Sequence, residues 1–280
     1  MTRNAALGLV TACLLSCSQP PTPPFIPPDD DTGLVGVSVP EGSLAGTWGV
    51  VIEWATVVTV PILGDRNGGS QGSRIWKRTW DAASKTYQDE FRWCTDDIFE
   101  VEGTRSVVSD ATLAKLAAVT LTSTANHEQG EYTTNTVIDL WGVRNLPDPV
   151  ETELPKKDNY QTPPQSDWMW DEDDDGNPGV TVKLTGSISA DAYLVSRSVY
   201  RLEGTVLSTD HIQGLARSQK TNQHTVKATN SLAEGESKTR PDTSNPKASW
   251  FDMVRLGDNA TCDDVRAALA DGRLATRQPF

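Results

Sequence analysis

The chain has 280 residues, of which 37% are hydrophobic and nine are Trp, so it is long enough to bury a substantial core. Its formal net charge of -13 argues against a nucleic-acid partner, because phosphate binding needs clustered Lys and Arg. Outside the N-terminus, no apolar stretch reaches the roughly 20 residues that a membrane-spanning helix requires. We therefore expect a folded, acidic protein that binds no nucleic acid.

The N-terminal residues have the pattern of an export signal. Arg3 gives a positive start, an apolar segment follows, and the chain then reads Leu14-Leu15-Ser16-Cys17. This ending resembles the lipobox of bacterial lipoproteins, in which the Cys is acylated and becomes the new N-terminus. The resemblance implies a signal peptide over 1–16 and a lipid on Cys17. It also implies a place in the bacterial cell envelope, anchored in the membrane on the periplasmic or extracellular face.

Two alternatives to acylation at Cys17 stay open. Val10-Thr11-Ala12-Cys13 is a second lipobox-like sequence, although cleavage there would leave only a short apolar segment. An ordinary secretory signal, cleaved nearby, would leave the mature chain without a lipid.

Residues 17–41 are predicted to form a tether between the membrane and a folded domain. Gln19-Pro20-Pro21-Thr22-Pro23-Pro24 and Pro27-Pro28 favour extended polyproline II structure, and three consecutive Asp residues add solvated charge. We expect the folded domain to occupy 42–280.

Alternation of apolar and polar residues predicts a mainly β domain, a single antiparallel barrel or sandwich of about 8 to 10 strands. The predicted strands are 48–60, 74–80, 87–94, 119–123, 132–141, 180–184, 193–207, 210–218, 225–229 and 248–256. Segments 63–69 and 231–247 are assigned to loops by composition. Segments 109–116 and 261–269 predict two short helices.

The first predicted strand begins with Gly46-Thr47-Trp48. This sequence resembles the Gly-x-Trp signature of lipocalin-type barrels, in which the Trp closes the bottom of the barrel. The resemblance implies a carrier of an apolar ligand whose open barrel keeps a cavity above Trp48. A fully packed interior would remove this hypothesis.

The Trp residues occur in two settings. Those in strand-like segments are predicted to be core: Trp48, Trp54, Trp76, Trp80 and Trp93. Trp168 and Trp170 lie instead in a long segment, 143–179, in which several Pro residues break regular structure. We predict that Trp168 and Trp170 face a ligand.

The cysteine count supports an exported protein. After cleavage at Cys17, only Cys94 and Cys262 remain besides the lipidated residue, and one pair in an exported protein is most simply a disulfide. This disulfide would join the C-terminal helix to an early strand. Two metal-binding thiols are the alternative, but the CxxC spacing and companion ligands of such sites are missing.

An acidic turn ends the long segment. Asp171, Asp173 and Asp175 stand at alternate positions before a Gly, as at the start of an EF-hand loop, where such side chains bind calcium. The turn also resembles the Asp-rich loops of thrombospondin type 3 repeats. These resemblances imply a calcium site that includes Asn177, with a solvated turn as the alternative. Val182 stands where an EF-hand carries its bidentate Glu, so other oxygens must complete the shell.

Motifs of known catalytic centres are missing from the sequence. It contains no G-x-S-x-G elbow, P-loop or G-x-G-x-x-G, and the scattered His127, His211 and His224 are predicted to be solvent-exposed. Carboxylate pairs such as Asp96 and Asp97 resemble glycosidase acids, but such pairs arise by chance in an acidic chain.

The sequence therefore favours a non-enzymatic binding or structural module, whose ligand is a small molecule, a glycan or a protein. A secreted hydrolase of unfamiliar family, acting on glycan or peptide, is an alternative. A cleft with convergent polar groups of perturbed pKa would favour the hydrolase over the binding module.

Overall fold

The computed structural model describes residues 33–60, 64–236, 238–245 and 247–276. The predicted signal peptide, Cys17 and most of the predicted tether lie outside these ranges. The strands are β1 Gly46–Val60, β2 Gly64–Asp81, β3 Thr86–Ile98, β4 Thr104–Val107, β5 Val119–Asn126, β6 Glu131–Thr134, β7 Val137–Trp141, β8 Val180–Gly186, β9 Ala190–Ser208, β10 His211–Ala228, β11 Gly235–Glu236, β12 Thr239–Pro241 and β13 Trp250–Arg255. The α-helices are α1 Asp110–Leu113 and α2 Cys262–Ala270. In the part of the chain described, neither helix is long and apolar enough to cross a membrane.

The predicted mainly β fold is confirmed, and its strands form one antiparallel sheet that closes partly into a ring. Around the ring, β9 pairs with β10, β10 with β13, β13 with β1, β1 with β2 and β2 with β3. Two separate sets of strands then join β3 to β9. β4 and β8 complete the ring toward one end, and β5 and β6 complete it toward the other.

The end of the ring where β1 begins is packed with side chains. The fully buried residues there include Trp48, Val50, Ile52, Trp76, Tyr87, Phe91, Leu202, Val206, Ile212, Phe251 and Met253. The indole Nε1 of Trp48 donates to the carbonyl oxygen of Leu44 at 3.0 Å. Guanidinium carbons of Arg255 and Arg78 lie 5.0 and 5.5 Å from its ring centroid, within the range of cation–π attraction. This end of the ring is therefore closed.

Helix α2 packs on the outer face of β1, β2 and β3. Its Val265 and Ala268 are buried against Val51, an outward-facing residue of β1. The sulfurs of Cys94 and Cys262 are bonded, which confirms the predicted disulfide. The C-terminal helix is thus held to the sheet both by apolar contacts and by a covalent link.

The structure corrects several predicted boundaries. Residues 64–69 were assigned to a loop by their Gly and Asp content, but they extend β2 by pairing with 55–60 of β1. Backbone hydrogen bonds hold this part of the hairpin, so its composition was misleading. The predicted strand 132–141 is two strands, β6 and β7, while 210–218 and 225–229 belong to one strand, β10.

The last part of the predicted tether lies against the sheet. The backbone N–H of Val37 donates to Val206 at 3.0 Å, and that of Val39 donates to His127 at 2.9 Å. The Val39 side chain is buried. The packed domain therefore begins several residues before the predicted boundary at residue 42.

Candidate functional site

Above the packed end, the ring encloses a cavity of about 850 Å³. Small-molecule sites typically occupy roughly 300–1,000 Å³. The cavity reaches the surface where the exposed residues Glu102, Leu232 and Lys238 lie. Its apolar lining includes the aromatic residues Trp54, Trp93, Trp141 and Tyr200 and the aliphatic residues Ile98, Val182, Leu184 and Leu194.

Strand alternation determines which side chains reach the cavity. On β9 they are every second residue, Leu194, Ser196, Ser198 and Tyr200. On β10 a register shift between Ser218 and Lys220 moves the inward face from even to odd positions. Thr221 and Gln223 therefore continue the wall that Ser218 begins.

Arg74 of β2 is buried among the residues that line the cavity, with 1% of its surface exposed. Its guanidinium carbon stacks 3.7 Å from the ring centroid of Trp93, and Nη1 donates to the carbonyl oxygen of Gly72 at 3.2 Å. Its Nε has no hydrogen-bond partner among the described residues. Because a guanidinium stays protonated in proteins, this buried positive charge is permanent.

Five acidic residues line the same cavity, Asp96, Asp139, Glu102, Glu234 and Glu236, and the first two interact electrostatically with Arg74. Asp139 of β7 is 4% exposed and accepts a hydrogen bond from Trp141 Nε1 at 3.2 Å. Burial raises the pKa of Asp139 to about 6, although Arg74 acts in the opposite direction. Burial also raises the pKa of Asp96 to about 7, again against the effect of Arg74. Burial therefore favours the protonated form of both carboxyls.

Tyr200 places a hydroxyl beside these charged groups. Its ring meets Trp54 edge to face, with centroids 5.1 Å apart, and only 1% of the residue is exposed. Burial raises the pKa of the phenol, so the group stays protonated. Among the described residues its hydroxyl has no hydrogen-bond partner. Tyr200 and Arg74 thus both offer buried N–H or O–H groups that lack acceptors.

A second buried arginine, Arg78, lies in the packed end and is paired directly. Its Nε donates to Asp89 Oδ1 at 2.7 Å and its Nη2 donates to Tyr132 Oη at 2.6 Å, while Ser123 Oγ donates to Asp89. Burial lowers the pKa of Arg78, but Asp89 and Tyr132 together more than offset this effect, so the pKa is raised. Within the described ranges, no carboxylate forms an ion pair with Arg74.

The acidic turn lies outside the cavity, next to the start of β8. One carboxylate oxygen from each of Asp171, Asp173 and Asp175 lies within 4.8 Å of the others. Asp171 accepts hydrogen bonds from the backbone of Asp175 at 3.1 Å and Gly176 at 2.8 Å, and Asp175 accepts one from Asn177 at 2.7 Å. These bonds fold the turn and bring the three predicted Asp ligands together.

Asp173 is the buried member of the acidic turn, with 8% of its surface exposed. Its Oδ2 accepts from the backbone N–H of Thr181 at 3.0 Å, whereas its Oδ1 has no partner within the described structure. The Asn177 side-chain oxygen accepts from Lys227 Nζ at 2.7 Å. The Asn177 side-chain oxygen thus already has one partner, a positively charged ammonium group.

The two Trp residues predicted to face a ligand do not line the cavity. Trp168 packs against a cluster that includes Val143 and Leu154. Trp170 is 45% exposed, and the guanidinium carbon of Arg144 lies 3.9 Å from its ring centroid. Both residues lie on the outside of the ring.

Sequence reasoning missed the charged groups of the cavity. Neighbours on a strand point to opposite faces, so Asp96 shares the cavity with Asp139 of another strand and not with Asp97. The prediction that all three His are exposed was wrong. His224 is 4% exposed, and its Nδ1 lies 2.9 Å from the carbonyl oxygen of Pro155.

The fold and the cavity define a class, an antiparallel β protein with an internal chamber that opens at one end. Comparisons with known protein families, curated proteins and solved structures give no match for this chain.

Proposed function

We propose that the protein is an exported, lipid-anchored binding protein that holds a small, largely apolar molecule inside its ring of strands. The observation that carries the proposal is the cavity of about 850 Å³ above the closed end. A ligand inside it would remove apolar surface from water, which contributes about 25 cal/mol per Å². The burial of Trp48 at the closed end supports the lipocalin-like form of this hypothesis.

The binding proposal is tested with the full-length chain, produced without acylation under oxidising conditions. The uncharged fluorophore N-phenyl-1-naphthylamine should bind saturably, with energy transfer from the Trp residues that line the cavity. Ser198→Phe places an aromatic ring inside the cavity and should weaken binding, whereas Thr79→Phe, on an exposed position of β2, should not. Equal binding by the two variants would refute the cavity as the site.

The membrane anchor rests on the lipobox, which ends at Cys17. Intact mass of the membrane-extracted protein should show a lipid increment that Cys17→Ser removes. A lipid increment that persists in the Cys17→Ser variant would refute acylation at this residue. Each buried CH₂ of an acyl chain contributes about 0.8 kcal/mol to membrane attachment.

A hydrolase acting on glycan or peptide is the second candidate, because Asp96 and Asp139 share the cavity. With pKa values raised to about 7 and about 6, either carboxyl could serve as a general acid near neutral pH. Turnover of chromogenic glycosides or peptides, abolished by Asp139→Asn, would establish this activity. The binding function is preferred because it requires only the cavity, whereas hydrolysis also requires a scissile bond positioned between the two groups.

We also propose that the acidic turn binds calcium in a structural role. The proximity of three Asp carboxylates and the unpartnered, buried Oδ1 of Asp173 support this site, because a buried carboxylate oxygen without a partner is costly. Hard oxygen donors favour calcium over zinc, and extracellular sites of this kind have a Kd of about 10⁻⁴ to 10⁻³ M. Calcium at ten times its Kd would add about 1.4 kcal/mol of stability.

The calcium proposal is tested by thermal unfolding and Trp fluorescence with and without chelator. Calcium should raise the melting temperature of the wild-type protein but not that of an Asp173→Ala/Asp175→Ala variant. Asp158→Asn, which removes an exposed carboxylate outside the turn, should retain the response. An equal response in all three proteins would retire the site.

A further inference from the structure

We infer that the cavity takes an amphiphile whose head group is anionic, a carboxylate in the simplest case, and that Arg74 is the residue that binds this group. The inference rests on the proposed binding function and specifies its ligand class. Its basis is the contrast between Arg74 and the other charged groups inside the ring.

Of the two arginines buried inside the ring, Arg78 has a carboxylate at 2.7 Å and Arg74 forms no ion pair with the residues described. Arg74 stacks on Trp93 and makes one hydrogen bond, to Gly72. Its planar guanidinium can form two parallel hydrogen bonds with a carboxylate. A buried arginine that stacks on an aromatic ring but has no ion-pair partner among the described residues is suited to binding an anionic ligand.

Among the described residues, the fully buried side-chain atoms without partners at this place are donors. Arg74 Nε–H can only donate, and the Tyr200 hydroxyl, buried beside Trp54, also has a hydrogen to donate. A ligand that brings acceptor oxygens would satisfy both groups at once. An ammonium ligand would satisfy neither, because it brings further donors.

The acidic residues Asp96 and Asp139, which also line the cavity, are compatible with an anionic ligand at Arg74. Asp96 and Asp139 can each lose their negative charge by binding a proton, whereas Arg74 cannot lose its positive charge. Asp139 also already accepts the indole N–H of Trp141. The permanent charge without a direct partner is therefore the positive one.

The rest of the cavity suits the apolar part of such a ligand. The walls include aliphatic residues such as Ile98, Leu184 and Leu194. The exposed Leu232 lies at the opening together with charged residues, Glu102, Glu236 and Lys238. A chain attached to the anionic group would run from Arg74 along these residues toward the surface. The charged head is then buried and the tail lies nearer the opening.

The test compares three amphiphiles of equal chain length: dodecanoate, dodecanol and dodecyltrimethylammonium. Binding to the full-length, unacylated, oxidised chain is measured by titration calorimetry below the micelle concentration. Dodecanoate should bind about 10- to 100-fold more tightly than the other two, the range of a charge-assisted hydrogen bond in a buried site. Equal affinity for dodecanol, or tighter binding of the ammonium compound, would overturn the inference while leaving the binding function intact.

Variants of β2 locate the head group. Arg74→Met should remove the preference for dodecanoate over dodecanol, whereas Lys77→Met, on the exposed face of the same strand, should keep the preference. A preference that survives Arg74→Met in a folded protein would overturn the role of Arg74. If Arg74→Met does not fold, the comparison of head groups on the wild-type protein still decides the ligand class. Failure of all three amphiphiles to bind would instead refute the proposed binding function itself.

Discussion

Replacing Asp139 with Asn should change how the stability of the protein depends on pH. The side chain is 4% exposed, and burial raises its pKa from an ordinary value of 3.8 to about 6. Below pH 3.8 the carboxyl is protonated in both the folded and the unfolded state. As the pH rises toward 6, the unfolded state releases this proton first, so Asp139 lowers the free energy of unfolding progressively.

The size of this effect follows from the two pKa values. Each pH unit between 3.8 and about 6 corresponds to about 1.36 kcal/mol, which gives a total loss of about 3 kcal/mol. Asn mimics the protonated acid and can still accept from Trp141. We therefore expect Asp139→Asn and the wild type to be similar in stability at about pH 3, and the variant to be about 3 kcal/mol more stable at about pH 8.

Urea unfolding of both proteins at several pH values measures this difference. Asp158→Asn, which changes an exposed carboxylate that does not line the cavity, serves as the control and should show no comparable pH dependence. A constant difference between Asp139→Asn and the wild type across the pH range would refute the reasoning. It would mean that Asp139 is solvated in the folded protein as it is in the unfolded chain.

Three further changes probe the frame around the cavity. Asp89→Asn should lower the free energy of unfolding by about 3–5 kcal/mol, because it leaves the Arg78 charge buried without its counter-charge. Arg78→Met/Asp89→Leu should recover much of that loss, and a larger loss in the double variant would contradict this view. Replacing Cys94 and Cys262 with Ser should lower the free energy of unfolding by up to about 5 kcal/mol, the chain-entropy limit for so long a loop, and denaturant unfolding checks it. Gly142→Ala should destabilise by at least about 1 kcal/mol, because Gly142 has φ +69° and a Cβ would lie 2.6 Å from neighbouring backbone; unchanged thermal stability would contradict it.

The strands could be predicted wherever side chains carried the alternation. The hairpin of β2 and β3 follows from aromatic residues such as Tyr87, Phe91 and Trp93 at every second position. The start of β2 could not be predicted, because its Gly residues pair through the backbone alone. The disulfide between Cys94 and Cys262 could be predicted from the number of cysteines together with the expectation that the protein is exported.

The cavity itself could not be predicted from the sequence, because whether the interior of the ring is filled depends on side chains from strands that are far apart in the chain. Trp48 and Trp54 occupy the same face of β1, yet the first lies in the packed end and the second lines the cavity. Asp139 gave no signal because it lies in an ordinary alternating strand. The acidic turn was visible because its three Asp are local in sequence, and the structure brings them together as that pattern implies.

The pairing of β1 has a consequence for how the protein is made. One edge of β1 pairs with β2, its neighbour in the chain, but the other edge pairs with β13, the last strand in the described sequence order. Until β13 has been synthesised, that edge of β1 lacks its final partner, and such edges invite pairing with other chains. Closure through contacts so distant in sequence is also slow. The interior chamber would therefore form late, after the strands at both ends of the described sequence have been synthesised and have paired.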